Sequence, residues 1–424
     1  MKTLELLQNG LYHAAKNEKN RKFYSLNDKI CRLDILEDAW KRVSANGGSP
    51  GIDRKSIEDI EIYGVSRFLG EIQHELMNKE YIVPKVKRVY IPKQNGKQRP
   101  LGIQTVKDRV VQQAVKSIIE PIFEADFKDF SYAYRKGKSA KQASSEIYRY
   151  INYGYTKIVE IDIKGFFDHI DHEKMIFFVM KRIADPYVVK LIREWLRAGI
   201  VYEGETLYPS EGTPQGGVIS PLLANVYLNE MDTLWSKKVD VHDARMIRYA
   251  DDITILTKNK PETYMDLSKR ILNLLKLELN MDKSRITDVA EGFDFLGIHY
   301  QRRYSSLRNK EIIRMYPSRR SMEKFRGKVK EIAKITKTHV KTMDCLISEL
   351  NALIRGYTNY FNHTNATLQY RILYHFMEWK VSKFYCHLHK IPRASYKGSY
   401  IGIGRSPGLM QMTGRISYIH NAAR

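Results

Sequence analysis

Residues 246–256 read MIRYADDITIL, and residues 157–163 read KIVEIDI. Each is a short β-branched, apolar run, the signature of a buried strand, and each ends or breaks at acids. Asp251 and Asp252 stand side by side between MIRY and ITIL, so the pair is predicted to sit at a turn joining two strands. Asp162 closes the other strand. An acid ending an apolar strand is costly when buried and unpaired, and adjacent carboxylates repel each other. A divalent cation bound by hard oxygen ligands offsets both costs. Bringing Asp162 to Asp251 and Asp252 would build a two-metal site for in-line phosphoryl transfer. A polar turn with no metal is the alternative on these residues alone.

The surrounding sequence predicts an α+β fold. Residues 86–101 alternate around Asn95-Gly96, a strong hairpin dipeptide, with Lys93 and Arg99 flanking the tip. Gly212-Thr213-Pro214-Gln215-Gly216-Gly217 forms a glycine-rich loop ahead of a helix over 220–235, with Ser220 expected as its N-cap and Pro221 at its first position. Residues 1–80 and 103–150 read as helical, and DILEDAWKRV as an amphipathic helix stopped at Asn46-Gly47-Gly48. The last hundred-odd residues read as mostly helical and basic. Helices, then strands, then helices suit an α+β core with an appended helical domain.

Charge narrows the partner. In 424 residues, 71 Lys and Arg against 48 Asp and Glu give a net charge of +23, which points to nucleic acid. The three cysteines, Cys31, Cys345 and Cys386, are too few and too scattered for a disulfide framework or a zinc knuckle. Glu5 and Gln8 interrupt the run a signal peptide needs, and no stretch approaches the roughly 20 apolar residues of a membrane span. The expectation is a soluble, cytoplasmic protein.

Tyr249-Ala250-Asp251-Asp252 resembles the YxDD box of reverse transcriptases. IVEIDIKGFFDHIDH (158–172) resembles their first catalytic-acid motif, and EGTPQGGVISPLLANVYLNEMD (211–232) their loop-and-helix motif, all in the same order. More closely, RVYIPKQNGKQRPLGIQTVKDRVVQQA (88–114) is similar to the fingertip motif of bacterial group II intron reverse transcriptases, or maturases. The segments 23–53, SYAYRKGKSAKQA (131–143), LNMDKSRI (279–286), FDFLGIHY (293–300) and LIRGYTNYF (353–361) resemble further motifs of that family.

The resemblance implies a right-hand polymerase, fingers and palm followed by a helical thumb. It implies two Mg²⁺ ions, with Mn²⁺ able to substitute, on Asp162, Asp251 and Asp252. Lys93 and Arg99 would close over the incoming triphosphate, Ile163 and Gln215 would meet the nucleotide, and Phe166 would lie under its sugar and exclude a 2′-hydroxyl. Lys283 is a candidate general acid for pyrophosphate release. Arg88, Arg135, Lys136, Tyr249, Arg326 and Arg355 are expected on the nucleic acid. Asp171 reads as a helix cap, and His169 and His172 as structural.

Expected domains are an N-terminal extension over 1–80, fingers and palm over 81–310, a maturase thumb over 311–390 and a short basic tail over 391–424. The cysteine-free tail predicts no endonuclease. The expected function is extension of a DNA primer on an RNA template with dNTPs, by an intron-encoded enzyme that also assists splicing and mobility of its intron. A domesticated antiviral enzyme copying a dedicated non-coding RNA, and a purely RNA-binding maturase, are the alternatives.

Overall fold

The computed structural model describes residues 2–92, 98–213, 216–306, 309–334, 342–390 and 408–414. The chain opens with helices α1 (Lys2–Asn17), α2 (Asn27–Ile30), α3 (Leu33–Asn46), α4 (Ile57–Tyr63) and α5 (Val65–Met77). The apolar stripe of α3, Ile35, Leu36, Ala39, Trp40 and Val43, is buried. The helix stops at Gly47, whose φ of 63° suits a residue without a Cβ. Strands β1 (Val86–Pro92) and β2 (Gln98–Ile103) pair antiparallel, and the expected Asn95-Gly96 tip lies outside the described residues. Then come α6 (Val106–Glu124), α7 (Ala140–Asn152), β3 (Lys157–Ile161), α8 (His172–Met180), α9 (Pro186–Leu196), β4 (Ile200–Tyr202) and β5 (Glu205–Leu207). β4 adds to β1 in parallel, so the fingers sheet runs β2-β1-β4-β5.

The central sheet uses α10 (Ser220–Lys238), β6 (Ala244–Tyr249), β7 (Asp252–Thr257), α11 (Pro261–Leu274) and β8 (Arg285–Asp288), its strands ordered β6-β7-β3-β8. Both faces are covered, so these strands read as continuous apolar runs. Val159, Ile161, Ile253 and Ile255 join one core with α6, α8, α10 and α11, while Ile158, Ile247 and Leu256 join a second. α10 begins one residue away from the expected position. Ser220 is its first residue, and its Oγ meets Thr213 Oγ1 at 3.0 Å.

A sheet precedes the helical end of the chain, and only its last strand overlaps the helical thumb expected from 311. β9 (Phe293–Phe295), β10 (Ile298–Ser305) and β11 (Lys310–Pro317) form a three-stranded sheet before α12 (Arg319–Ile332), α13 (Met343–Phe361) and α14 (Thr367–Leu388). Polar Gln301, Arg302 and Arg303 mask the strand signal of β10. The thumb helices bury Phe325, Leu346, Leu350, Ile354, Tyr370 and Leu373 in the second core. No helix among the described residues is long and apolar enough to cross a membrane. The architecture is that of a right-hand polymerase, α+β, with a helical domain at its end.

Candidate active site

The β6–β7 hairpin closes with Tyr249 opposite Asp252, leaving Ala250 and Asp251 as its two-residue turn. Ala250 takes φ 57°. An L-residue in this left-handed region costs about 1–2 kcal/mol, so the surroundings must hold it there. They do so through Arg248, which is fully buried. Its Nη1 donates to the Ala250 carbonyl at 3.1 Å and to Asn225 Oδ1 at 3.0 Å, and its Nη2 donates to Asp232 Oδ2 at 2.6 Å. Asp232, equally buried, supplies the counter-charge, and Asn225 Nδ2 reaches the Ala133 carbonyl at 2.8 Å. The turn is therefore pinned from below by a two-pronged ion pair on α10.

β3 pairs with β7 so that Ile161 faces Ile253. One residue further, this register sets Asp162 level with Asp252. Residues 279–284 then hold Asp162. Its N–H donates to Ser284 Oγ at 3.0 Å, its carbonyl accepts from Asn280 N at 2.8 Å, and its Oδ2 accepts from Asn280 Nδ2 at 2.8 Å and Lys283 Nζ at 3.3 Å.

The negative charge of Asp162 acts on both Asp251 and Asp252. Crowding by protein, then the charges of Asp251 and Asp162, push the Asp252 carboxyl up to about 6, although the residue is exposed. Burial and the Asp162 charge raise Asp251, against the pull of its own backbone N–H, Arg99 and Lys283. Arg320, at the start of α12, draws Asp252 the other way. Among the described residues no group of three His, Cys, Asp or Glu is gathered tightly enough to hold an ion by itself. Open clusters of hard oxygens suit Mg²⁺, which keeps waters and completes its shell with substrate phosphates.

The glycine-rich loop is anchored to the turn after Asp162. Gly212 N donates to the Ile170 carbonyl and Thr213 N to the Phe167 carbonyl, both at 2.8 Å. His172 Nε2 lies 2.7 Å from the Gly212 carbonyl, a structural task, and Asp171 caps α8 through the N–H of Lys174. Gly216 has φ 112°, and a Cβ there would come within 2.6 Å of the Gly102 carbonyl on β2, so glycine is required where loop and fingers meet. A cavity of about 160 Å³ between them is lined by Arg88, Gly102, Phe167, Asp168, Gly212 and Thr213.

The structure thus groups Asp162, Asp251, Asp252, Lys283 and Arg99, and lays Arg88 beside the glycine-rich loop. Lys93 and Gln215 lie outside the described residues. Three expectations need correction. Phe166 is 2 % exposed and packs edge-on against Phe167 and Tyr227, so its ring offers almost no surface to a sugar; Phe167 is the ring that reaches the cavity. The Ile163 side chain is likewise in the core. Arg135 is buried and spends its guanidinium on Glu124 and the carbonyls of Lys128 and Ser131, so it braces the fold instead of meeting nucleic acid. Lys136 and Arg355 are exposed, Tyr249 is half-buried against the thumb core, and Arg326 stacks over Phe376. Asn280, Ser284, Arg248, Asp232 and Arg320 were not singled out from sequence. Asn280 and Ser284 could have been, because LNMDKSRI gathers four polar side chains, Asn280, Asp282, Ser284 and Arg285, around Lys283.

Residues 91–300 match the family model described as reverse transcriptase (RNA-dependent DNA polymerase), and residues 322–400 match the maturase-specific domain of group II introns. Protein YkfC of Escherichia coli (strain K12) is 33 % identical over 318 residues, covering 65 % of this chain and 82 % of its own. The chain belongs to the group II intron reverse transcriptase family. The group II intron-encoded protein LtrA of Lactococcus lactis subsp. cremoris is 38 % identical over 205 residues, covering 48 % of this reverse transcriptase and 34 % of LtrA. The match thus spans most of YkfC's length and about a third of LtrA's. A chain of the solved partial Cas6-RT-Cas1--Cas2 complex is 25 % identical, covers 59 % of this chain and 43 % of its own, and superposes with a TM-score of 0.37, which decides nothing here.

Proposed function

We propose that this reverse transcriptase extends a DNA primer along an RNA template at Asp162, Asp251 and Asp252. The observation that carries the reading is the strand register, which sets Asp162 on β3 level with Asp252 on β7, next to the Ala250-Asp251 turn. Two Mg²⁺ ions, once bound with the nucleotide, would supply charge neutralisation for the attacking and leaving oxygens. Asn280 and Lys283 both bond Asp162 Oδ2, which leaves Oδ1 for another ligand. Lys283 Nζ is a proton source within reach of the acids, suited to protonating a leaving pyrophosphate. Arg99 adds positive charge on the fingers side, and Arg320 on the thumb side. Lys93 and Gln215 keep the nucleotide-binding roles the resemblance implies. The proposed organisation is an N-terminal extension to about residue 80, fingers and palm to about 310, and a helical thumb to about 390.

The test is primer extension with an RNA template, a DNA primer, Mg²⁺ and dNTPs, run beside Asp251→Ala/Asp252→Ala. Labelled cDNA is expected from the parent alone. Equal product from the variant, or none from the parent on any template, refutes the assignment. The maturase-specific match over 322–400 favours a second role, binding intron RNA to assist its splicing. That role should survive in the same variant.

A further inference from the structure

The β10–β11 hairpin walls a second groove, away from the acids. α7 leads into the start of β3, whereas Asp162 follows its end, about 16 Å of strand away. The groove encloses about 670 Å³ between the C-terminal half of α7, the hairpin and the first turn of α14. It shares no lining residue with the cleft-side cavity of about 740 Å³ around Arg320 and Tyr360.

Its lining is cationic, aromatic and amide-bearing. Arg303, Lys310 and Arg314 are exposed along it, and among the described residues none of the three has a carboxylate partner within ion-pair distance. Glu311 also lines the groove, but its Oε2 lies 3.5 Å from Arg302 Nη1, which offsets its charge. Tyr148 and Tyr316 are half-buried, each leaving part of a ring open. The floor is fixed by Asn365, whose N–H donates to the Met315 carbonyl at 2.6 Å while its Oδ1 accepts from Met315 N at 3.1 Å. Gln369 lines the same wall, and its Oε1 is buried with no hydrogen-bond partner among the described residues.

We propose that this groove binds an unpaired segment of RNA, with phosphates on Arg303, Lys310 and Arg314 and a base against Tyr316 or Tyr148. Long cations beside partly open rings and amides are the combination that takes phosphate, base face and base edge together. The volume lies in the range of sites for ligands of nucleotide size, roughly 300–1,000 Å³. Because the groove is separate from the cleft, it can hold one part of an RNA while another part is copied. The inference extends the proposed RNA-handling role and does not require the polymerase reading to hold.

The test fills the cleft of the full chain with excess RNA–DNA template-primer, then adds a 12-nucleotide single-stranded RNA carrying 4-thiouridine, irradiates and maps the cross-linked peptides. Cross-links within 148–152, 310–316 or 365–369 that persist in the filled protein are expected. A DNA oligonucleotide of the same sequence should give at least threefold less. Arg303→Glu/Lys310→Glu/Arg314→Glu should lose cross-linking at least tenfold while primer extension stays within twofold of the parent. If that variant misfolds, Arg314→Gln alone should lose about threefold. No cross-link in these segments, competition by the template-primer, equal capture of DNA, or undiminished capture by the variant would each overturn the proposal. Primer extension, read on the same samples, separates this failure from failure of the polymerase reading.

Discussion

Replacing Asp232 with Ala strips the counter-charge from a guanidinium that has no exposure to solvent. Breaking a buried pair by removing one partner costs about 3–5 kcal/mol. Against the roughly 5–15 kcal/mol that holds a domain together, this is a large share. Arg248→Ala should cost at least as much, because the Asn225 side-chain oxygen and the Ala250 carbonyl also lose their donor. Arg248→Met/Asp232→Leu removes both charges and restores apolar volume, so it should cost less than the sum of the single changes by about 2 kcal/mol or more. Urea unfolding followed through tryptophan fluorescence reads this, and one of the four reporters, Trp235, lies buried on the same helix one turn beyond Asp232. Arg248→Lys keeps the charge but not the fork. It should fold and yet lose about 10- to 100-fold in kcat, because a loosened Ala250-Asp251 turn misplaces the acids. Single changes costing under about 1 kcal/mol, or a strictly additive double variant, would refute the view that this pair holds the turn.

Further outcomes follow from individual contacts. Lys283→Ala should lower kcat about 100-fold with template-primer affinity unchanged, as gel-shift titration and single-turnover extension would show; an unchanged kcat removes the general-acid role. Arg135→Ala should destabilise the protein by about 2 kcal/mol or more without weakening RNA binding, whereas a selective loss of RNA affinity would restore the surface role expected from sequence. Asp108 is fully buried, accepting from Tyr81 Oη and Trp195 Nε1 at 2.8 Å and from Gln112 Nε2 at 2.9 Å, and burial pushes its carboxyl up to about 6. The folded state therefore holds this proton more tightly than the unfolded chain. The site's contribution to stability is fullest below about pH 4, shrinks as pH rises to about 6, and is flat above. Unfolding titrations of the parent and Asp108→Asn should diverge by up to about 1.4 kcal/mol per pH unit within that window and run parallel above it. A constant difference from pH 4 to 8 contradicts the raised carboxyl.

The sequence made β3, β6 and β7 legible because their apolar runs stop at acids. Asp162, Asp251 and Asp252 needed only the register of β3 on β7 to meet. What could not be read was which polar residues near the site face inward. Arg135 and Arg99 look alike in a basic sequence, but one meets Glu124 in a buried corner and the other extends from a hairpin. Phe166 and Phe167 are adjacent and chemically identical, so only packing against Tyr227 sorts them. The Arg248–Asp232 pair spans 16 residues from helix to strand, a partnership no local pattern reveals. β10 and β11 were hidden because their outward faces are charged, which blurs the alternation that marks a strand.

The second core has a consequence for how the molecule comes apart. Its members run from Ile158, Ile247 and Leu256 on the back of the central sheet to Leu350, Tyr370 and Leu373 in the thumb helices. A fragment starting at α12 would carry half of an oil-filled joint and expose the other half's imprint to water, so it should aggregate when expressed alone. Any displacement of the thumb helices would also press on the strands that carry the acids, because the two share this core.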